Sequence, residues 1–285
     1  MPQSVDVTIA THAEMPEGST DDRLLAKAIA AAGARVRLAV WNDGGIDWAA
    51  SRLTVIRSTW DYHLDPAGWF AWLDAASAGT RLVNAATILR WNSDKRYLLE
   101  LERAGVPIVP TEHAKRGDAV DLAARCGARG WTDVVVKPAI GASAKGAGRF
   151  GSTELRSTGQ AHLDTLLAVG DALVQPFQAA VDVERERSLV VIGGRLSHAF
   201  TKPPFLRGTG DGLGEALHEP TAAERAVAER ALAAAPGPVA YARVDMVPTA
   251  GGPRLMELEL IEPDLGLRLQ PGAPAALAAA LLTGE

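Results

Sequence analysis

Apolar and polar positions alternate from residue 5 to residue 10, with β-branched Val5, Val7 and Ile9 on one face, and this predicts an opening strand. Thr20, Asp21 and Asp22 then start a helix that Gly33 ends as a left-handed C-cap would. Residues 36–41 and 53–57 read as two further strands, and another helix begins after Asp65 and Pro66. Strands alternating with helices over the first ~85 residues predict a small α/β layer with a parallel sheet.

Residues 84–92 read as a connector. From Ser93, apolar positions at helical spacing run to Gly105, residues 106–111 are a short extended piece, and 119–125 form another helix. Residues 132–138 form an apolar strand that runs into the small-residue loop 139–148. Residues 172–177 read as a strand stopped by Pro176. Residues 188–192 and 196–202 flank Gly193-Gly194 as a hairpin, and a helix spans 221–235. A second hairpin follows, and it breaks the apolar rule. Glu257 and Glu259 share one strand face, Met256, Leu258 and Leu260 take the other, and Asp245 stands on the partner strand. Two readings follow: an amphipathic hairpin with a solvated acidic face, or a hard-oxygen site suited to Mg²⁺.

Composition narrows the classes. With 285 residues, 47% of them hydrophobic, the chain can bury a sizeable core. A net charge of −5 argues against a general nucleic-acid or anionic-membrane binder. No segment offers the ~20 apolar residues that span a bilayer, and the first apolar run carries Asp6 with no basic stretch before it. Cys126, the single cysteine, has no internal partner and reads as a structural thiol. A soluble cytoplasmic protein is the expectation.

Several residues carry candidate chemistry. Lys137 ends an apolar strand, where an ammonium group faces a partner. The loop after it offers backbone N–H groups to phosphate oxygens, or is a flexible surface loop; it is not a Walker A sequence. The strand end at Gln175-Pro176-Phe177 leaves backbone groups free for a planar base, with Phe177 for apolar contact. Arg57, at a strand end on the ligand-binding edge of an α/β sheet, is either a substrate-carboxylate clamp or a structural ion pair. His12 and Tyr62 are candidate substrate contacts on neighbouring loops, whereas Trp60, Trp69 and Trp72 read as packing and His198 as a core histidine.

In order along the chain, Asn92-Ser93-Asp94-Lys95, Val136-Lys137-Pro138, the glycine loop, Val174-Gln175-Pro176-Phe177, Glu186, Arg243-Val244-Asp245 and Glu257-Leu258-Glu259 resemble the motif series of ATP-grasp ligases, over residues 84–270. The chain is most similar to the glutathione-synthetase-like branch. Arg57-Ser58-Thr59-Trp60-Asp61-Tyr62, Leu89-Arg90-Trp91-Asn92, Ser197-His198 through Lys202, and Glu257 through Pro263 resemble the O-ureido-serine cyclo-ligase of cycloserine biosynthesis and its relatives. The resemblance implies an α/β (α+β) ATP-grasp fold: an N-terminal α/β domain (1–88), a central domain with the loop (89–172) and a C-terminal domain with the acids (173–285), the last two clasping ATP.

By the same resemblance Lys95 meets the α-phosphate and Lys137 the α- and β-phosphates. The loop, with Gly141, Ser143 and Gly146, folds over the β- and γ-phosphates. Gln175 and Phe177 receive adenine, and Glu186 the ribose. Lys202 and Arg243 serve the γ-phosphate and the developing acyl phosphate, while Asp245, Glu257 and Glu259 hold one or two Mg²⁺ ions. The implied activity joins a small-molecule carboxylate to an amine-type nucleophile through an acyl phosphate, within one molecule where both groups share it. A homodimer is the usual assembly of such enzymes. The alternative is a nucleotide-binding regulatory or scaffolding relative without ligase activity. Two departures stand out. Arg185 occupies the position where the family commonly has glycine, which leaves the ribose contact between Glu184 and Glu186. The segment after Lys202 is shorter than in the subgroup, with Arg207 as a candidate replacement for a phosphate-facing arginine.

Overall fold

The computed structural model describes residues 5–203 and 214–283, so Arg207 lies outside the described residues. Three sheets organise the described chain. The first holds β1 (Val5–Thr11), β2 (Val36–Val40), β3 (Ser51–Ser58) and β4 (Arg81–Val83) in the order β2-β1-β3-β4, all parallel. Helix α1 (Thr20–Ala31) makes the crossover from β1 to β2 and helix α2 (Pro66–Ser77) that from β3 to β4. Helix α1 starts on a capping box in which Ser19 and Asp22 satisfy each other's backbone N–H groups. Trp69 and Trp72 stack with ring centroids 5.1 Å apart in the core under this sheet, as their helical spacing predicts.

Residues 84–92 are not an irregular connector. They form α3 (Ala86–Asn92), followed after a turn by α4 (Tyr97–Arg103). Helix α3 is short enough for the Asn84 and Asn92 flanks to obscure its apolar Ile88 and Leu89. Then come β5 (Glu112–Ala114), α5 (Leu122–Ala128), β6 (Asp133–Pro138), β7 (Gly148–Gly151), α6 (Thr158–Val169) and β8 (Ala172–Pro176). The second sheet is antiparallel in the order β5-β8-β6-β7. Strand β8 therefore pairs within this sheet, although a boundary at 172/173 would assign it to the unit that follows.

A short α7 (Ala180–Glu184) leads to β9 (Glu186–Ile192), β10 (Arg195–Lys202), β11 (Ala216–Leu217), α8 (Ala222–Ala233), β12 (Tyr241–Val247) and β13 (Arg254–Glu259). Their order is β11-β10-β9-β12-β13. One face of this third sheet, with Leu189, Val191, Ala242, Val244 and Leu258, packs on α4 and α8. On the other face Val190, Ile192, Phe200 and Tyr241 meet Val7, Ile9 and Val55 of the first sheet. The last helix, α9 (Ala273–Thr283), returns to pack on α1. No helix among the described residues is long and apolar enough to cross a membrane.

Candidate active site

Period-two alternation gives one face of the third sheet an apolar end and a charged end. Tyr241, Val190, Ile192 and Phe200 supply the apolar end. At the other end, register sets Arg243 opposite Glu259, Asp245 opposite both Glu257 and Ser188, and Lys202 opposite Glu186. A cleft of about 530 Å³ lies over these charges, walled by the second sheet and by Trp60 and Tyr62. Its size is usual for small-molecule sites.

Met256 departs from the expected alternation. Asp245 pairs with Glu257 but Met246 pairs with Leu255, which leaves Met256 as the extra residue of a bulge. Leu255 takes the core position alongside Leu258 and Leu260, and Met256 turns into the cleft beside Glu257 and Glu259.

The charges neutralise one another. Asp245, 1% exposed, accepts from Ser188 Oγ at 2.6 Å, Lys202 Nζ at 2.8 Å and Arg243 Nε at 3.0 Å. Burial pushes its carboxyl up, but Arg243 and Lys202 outweigh that and hold it well below the carboxylate range. Arg243 also pairs with Glu259, and Lys202 with Glu186. Burial pushes Glu259 up to about 8, with Arg243 opposing and Asp245 and Glu257 adding repulsion. Lys95 Nζ lies 2.5 Å from Glu257 and donates to Gly141 O at 2.7 Å. Lys137 lines the cleft with no carboxylate of the described residues in ion-pair range, and burial lowers its pKa. Among the described residues no three acidic, histidine or cysteine side chains form a cage for an ion. Glu257 and Glu259 do offer hard oxygens from neighbouring positions of one strand. That donor set fits Mg²⁺, which takes one or two carboxylates and completes its shell from phosphates and water.

The loop between β6 and β7 bends sharply. Gly146 has φ 75°, and Ser143 and Ala144 also take left-handed φ values of 53° and 51°, at roughly 1–2 kcal/mol per residue. A β-carbon at Gly141 would stand 3.0 Å from Pro138 Cγ, so glycine permits the close approach. At the adenine end the expectation of a free strand end fails for one group: Phe177 N–H donates to Asp133 O at 2.8 Å, because β8 stays paired with β6 through Pro176. Gln175 is tied to Thr111 at 2.9 Å, and Arg149 stacks on the Phe177 ring at 3.4 Å. Arg185 adopts φ 66°, a left-handed conformation that favours glycine. It turns Glu186 into the cleft, whereas Glu184 sits outside it against Arg187.

The first layer's candidates are less uniform. Tyr62 lines the cleft, 2% exposed, and burial raises its hydroxyl pKa with Glu262 adding to the effect. His12 bonds Ser58 O at 2.6 Å. Arg57 stands one layer behind the wall, donating to Pro263 O at 2.7 Å with Asp22 at 3.4 Å. Its Nε and Nη1 atoms have no hydrogen-bond partner.

Four cleft residues receive no site role from the sequence. Trp60, expected to be packing, lines the cleft and donates to Glu262 O at 3.0 Å. Asn92 acts as a surrogate strand, donating to Leu258 O and accepting from Leu260 N, both at 2.7 Å. The Tyr97 hydroxyl accepts from Leu258 N at 2.9 Å. The available signal for Asn92 was an amide on the buried face of α3, in step with Ile88 and Leu89. Glu262 is the fourth. It is 9% exposed, and burial pushes it up to about 7 against the pull of Lys95.

Residues 7–84 match the family model for the N-terminal domain of the D-cycloserine synthetase DcsG. The chain is 35% identical to the cycloserine biosynthesis protein DcsG of Streptomyces lavendulae over 265 residues, covering 85% of this chain and 86% of that protein. The crystal structure of D-cycloserine synthetase DcsG superposes with TM-score 0.89 at 30% identity, covering 97% of this chain and 98% of that one. A RimK-domain ATP-grasp protein from Sphaerobacter thermophilus shares the fold, with TM-score 0.72, 22% identity and coverage of 98% and 100%.

Proposed function

The chain belongs to the D-cycloserine synthetase family of ATP-grasp ligases and is an ATP-dependent ligase for a small substrate, and from that premise we propose how its cleft activates a carboxylate. Lys95 and Lys137 hold the α- and β-phosphates, and the loop carrying Gly141, Ser143 and Gly146 covers the β- and γ-phosphates. Adenine lies against Gln175 and Phe177, and Glu186 takes the ribose hydroxyls. Arg243 and Lys202 exchange their carboxylate partners for the γ-phosphate, and Asp245, Glu257 and Glu259 are the residues that would hold one or two Mg²⁺ ions. Bound there, Mg²⁺ neutralises charge that develops on the phosphates during in-line transfer. The residues themselves position and screen, so no nucleophilic side chain is needed.

A substrate carboxylate oxygen attacks the γ-phosphorus and ADP leaves. A nitrogen nucleophile then attacks the acyl carbon, the C–N bond forms, and phosphate departs with the C–O electron pair. We assign the amino-acid end of the substrate to the first layer, with Tyr62 at the cleft wall and His12 and Arg57 behind it. The unpartnered polar atoms of Arg57, Ser58 and Thr59 support that assignment. With carboxylate and nitrogen on one molecule, the product is a ring.

The observation that carries the reading is one cleft in which four cations, Lys95, Lys137, Lys202 and Arg243, face a strand bearing Glu257 and Glu259. A nucleotide-binding regulator without ligase activity is the weaker reading, since binding alone does not require that acid pair. Incubation with ATP, Mg²⁺ and O-ureido-serine should yield ADP, phosphate and a cyclic product in equal amounts. ADP release that needs a separate amine would instead establish intermolecular ligation.

A further inference from the structure

Four carboxylates on the charged side of the cleft, Asp245, Glu257, Glu259 and Glu186, each meet a lysine or arginine of the chain. Glu262 is different. It lines the same cleft and is nine-tenths buried, yet among the described residues no cation lies in ion-pair range, and the one hydrogen bond to its carboxylate comes from its own backbone. Its main chain is fixed from the first layer, where Trp60 Nε1 donates to Glu262 O and Arg57 Nη2 to Pro263 O. The carboxylate thus sits at the seam between the wall proposed for the amino-acid end and the phosphate end marked by Lys95.

Bond formation at this seam has an unassigned requirement, because the attacking nitrogen must lose a proton. Lys95, Lys137, Lys202 and Arg243 are needed protonated against phosphate, and the paired acids are committed to cations or metal. We propose that Glu262 is the general base: as the nitrogen attacks the acyl carbon, its proton passes to a Glu262 carboxylate oxygen while phosphate leaves. This rests on the ligase reading above. The groups that face Glu262 are Lys95 and Arg243, which favour its ionised form, Glu257, which opposes it, and the hydroxyls of Tyr62 and Tyr241. Burial dominates, and the resulting basicity lies close to neutral pH, where general-base efficiency is greatest.

The test separates activation from ring closure, using O-ureido-serine, ATP and Mg²⁺ with or without hydroxylamine. Hydroxylamine is largely unprotonated at neutral pH and captures the acyl phosphate without help from a base. Glu262→Gln should form hydroxamate within about threefold of wild type yet close the ring roughly 100- to 10,000-fold more slowly at unchanged KM. Glu262→Asp should recover part of that rate. In wild type at saturating ATP and Mg²⁺, ring closure should lose rate as pH falls through the neutral range, while hydroxamate formation should not show that limb. The wild-type comparison needs no variant to fold. Equal losses of hydroxamate and ring product, a raised KM with kcat intact, or the same pH limb on both reactions would overturn the base role. Wild-type protein that forms no hydroxamate would defeat the ligase reading, and the base with it.

Discussion

On the wall built from β12 and β13, Asp245, Glu257 and Glu259 each meet a cation supplied by the chain itself. Behind the wall built from the first sheet, buried polar atoms of Asp22, Arg57, Ser58, Thr59 and His63 have no hydrogen-bond partner, Asp22 and Arg57 only approaching each other at 3.4 Å. Among the described residues, every buried side-chain nitrogen or oxygen without a partner belongs to residues 22–72. Such atoms cost about 1–3 kcal/mol each when left unpaired, so they accumulate where something other than stability selects them. In our proposal the paired wall serves groups of known charge, phosphates and metal, that replace one ion pair with another. The unpaired wall is the one our proposal assigns to hydrogen bonds with the substrate, and with them to specificity.

The largest effect should come from breaking the paired wall at its centre. Asp245→Asn leaves Lys202 and Arg243 facing each other without their shared carboxylate. We expect about 3 kcal/mol lower stability by denaturant titration, together with at least ~100-fold slower ADP release. Glu257→Gln should retain the fold but reduce ADP formation by roughly 100-fold, and raised Mg²⁺ should recover part of it. Full activity in that variant would remove Glu257 from the metal assignment.

Much of the paired wall was legible in the sequence. Asp245, Glu257 and Glu259 stand out because acids interrupt an apolar alternation, and alternation is a local property. Met256 was assigned to the wrong face because a bulge is a matter of register between two strands. The Phe177 amide was expected to be free because Pro176 ends a ladder in sequence, whereas the preceding strand supplies Asp133 O in space. Trp60 and Glu262, 202 residues apart, meet through a single hydrogen bond that no spacing encodes. The unpaired wall is harder to read for the same reason, since an orphaned atom is defined by what fails to reach it.

Two carboxyls of the cleft, one paired and one not, also predict a pH dependence. In the folded chain burial raises Glu259 to about 8 and Glu262 to about 7, from ordinary values of 4.5. Folded protein therefore keeps protons that the unfolded chain has already released. Their contribution to stability is present below 4.5 and is lost as pH rises to about 8. Melting in chelator should show that decline, and the gain in Tm from Mg²⁺ and ATP should grow over the same interval. A gain independent of pH would detach these carboxyls from nucleotide and metal binding. The smallest effect belongs to the other wall: Ser58→Ala should raise KM for the amino-acid substrate by about tenfold or less and leave KM for ATP unchanged.

Trapping the activated carboxylate tests the central claim most directly. With ATP, Mg²⁺, O-ureido-serine and hydroxylamine, the protein should give hydroxamate, with ADP equal to hydroxamate plus cyclic product and no AMP. Formation of AMP and pyrophosphate, or ATP binding without hydroxamate, would contradict acyl-phosphate chemistry in this cleft.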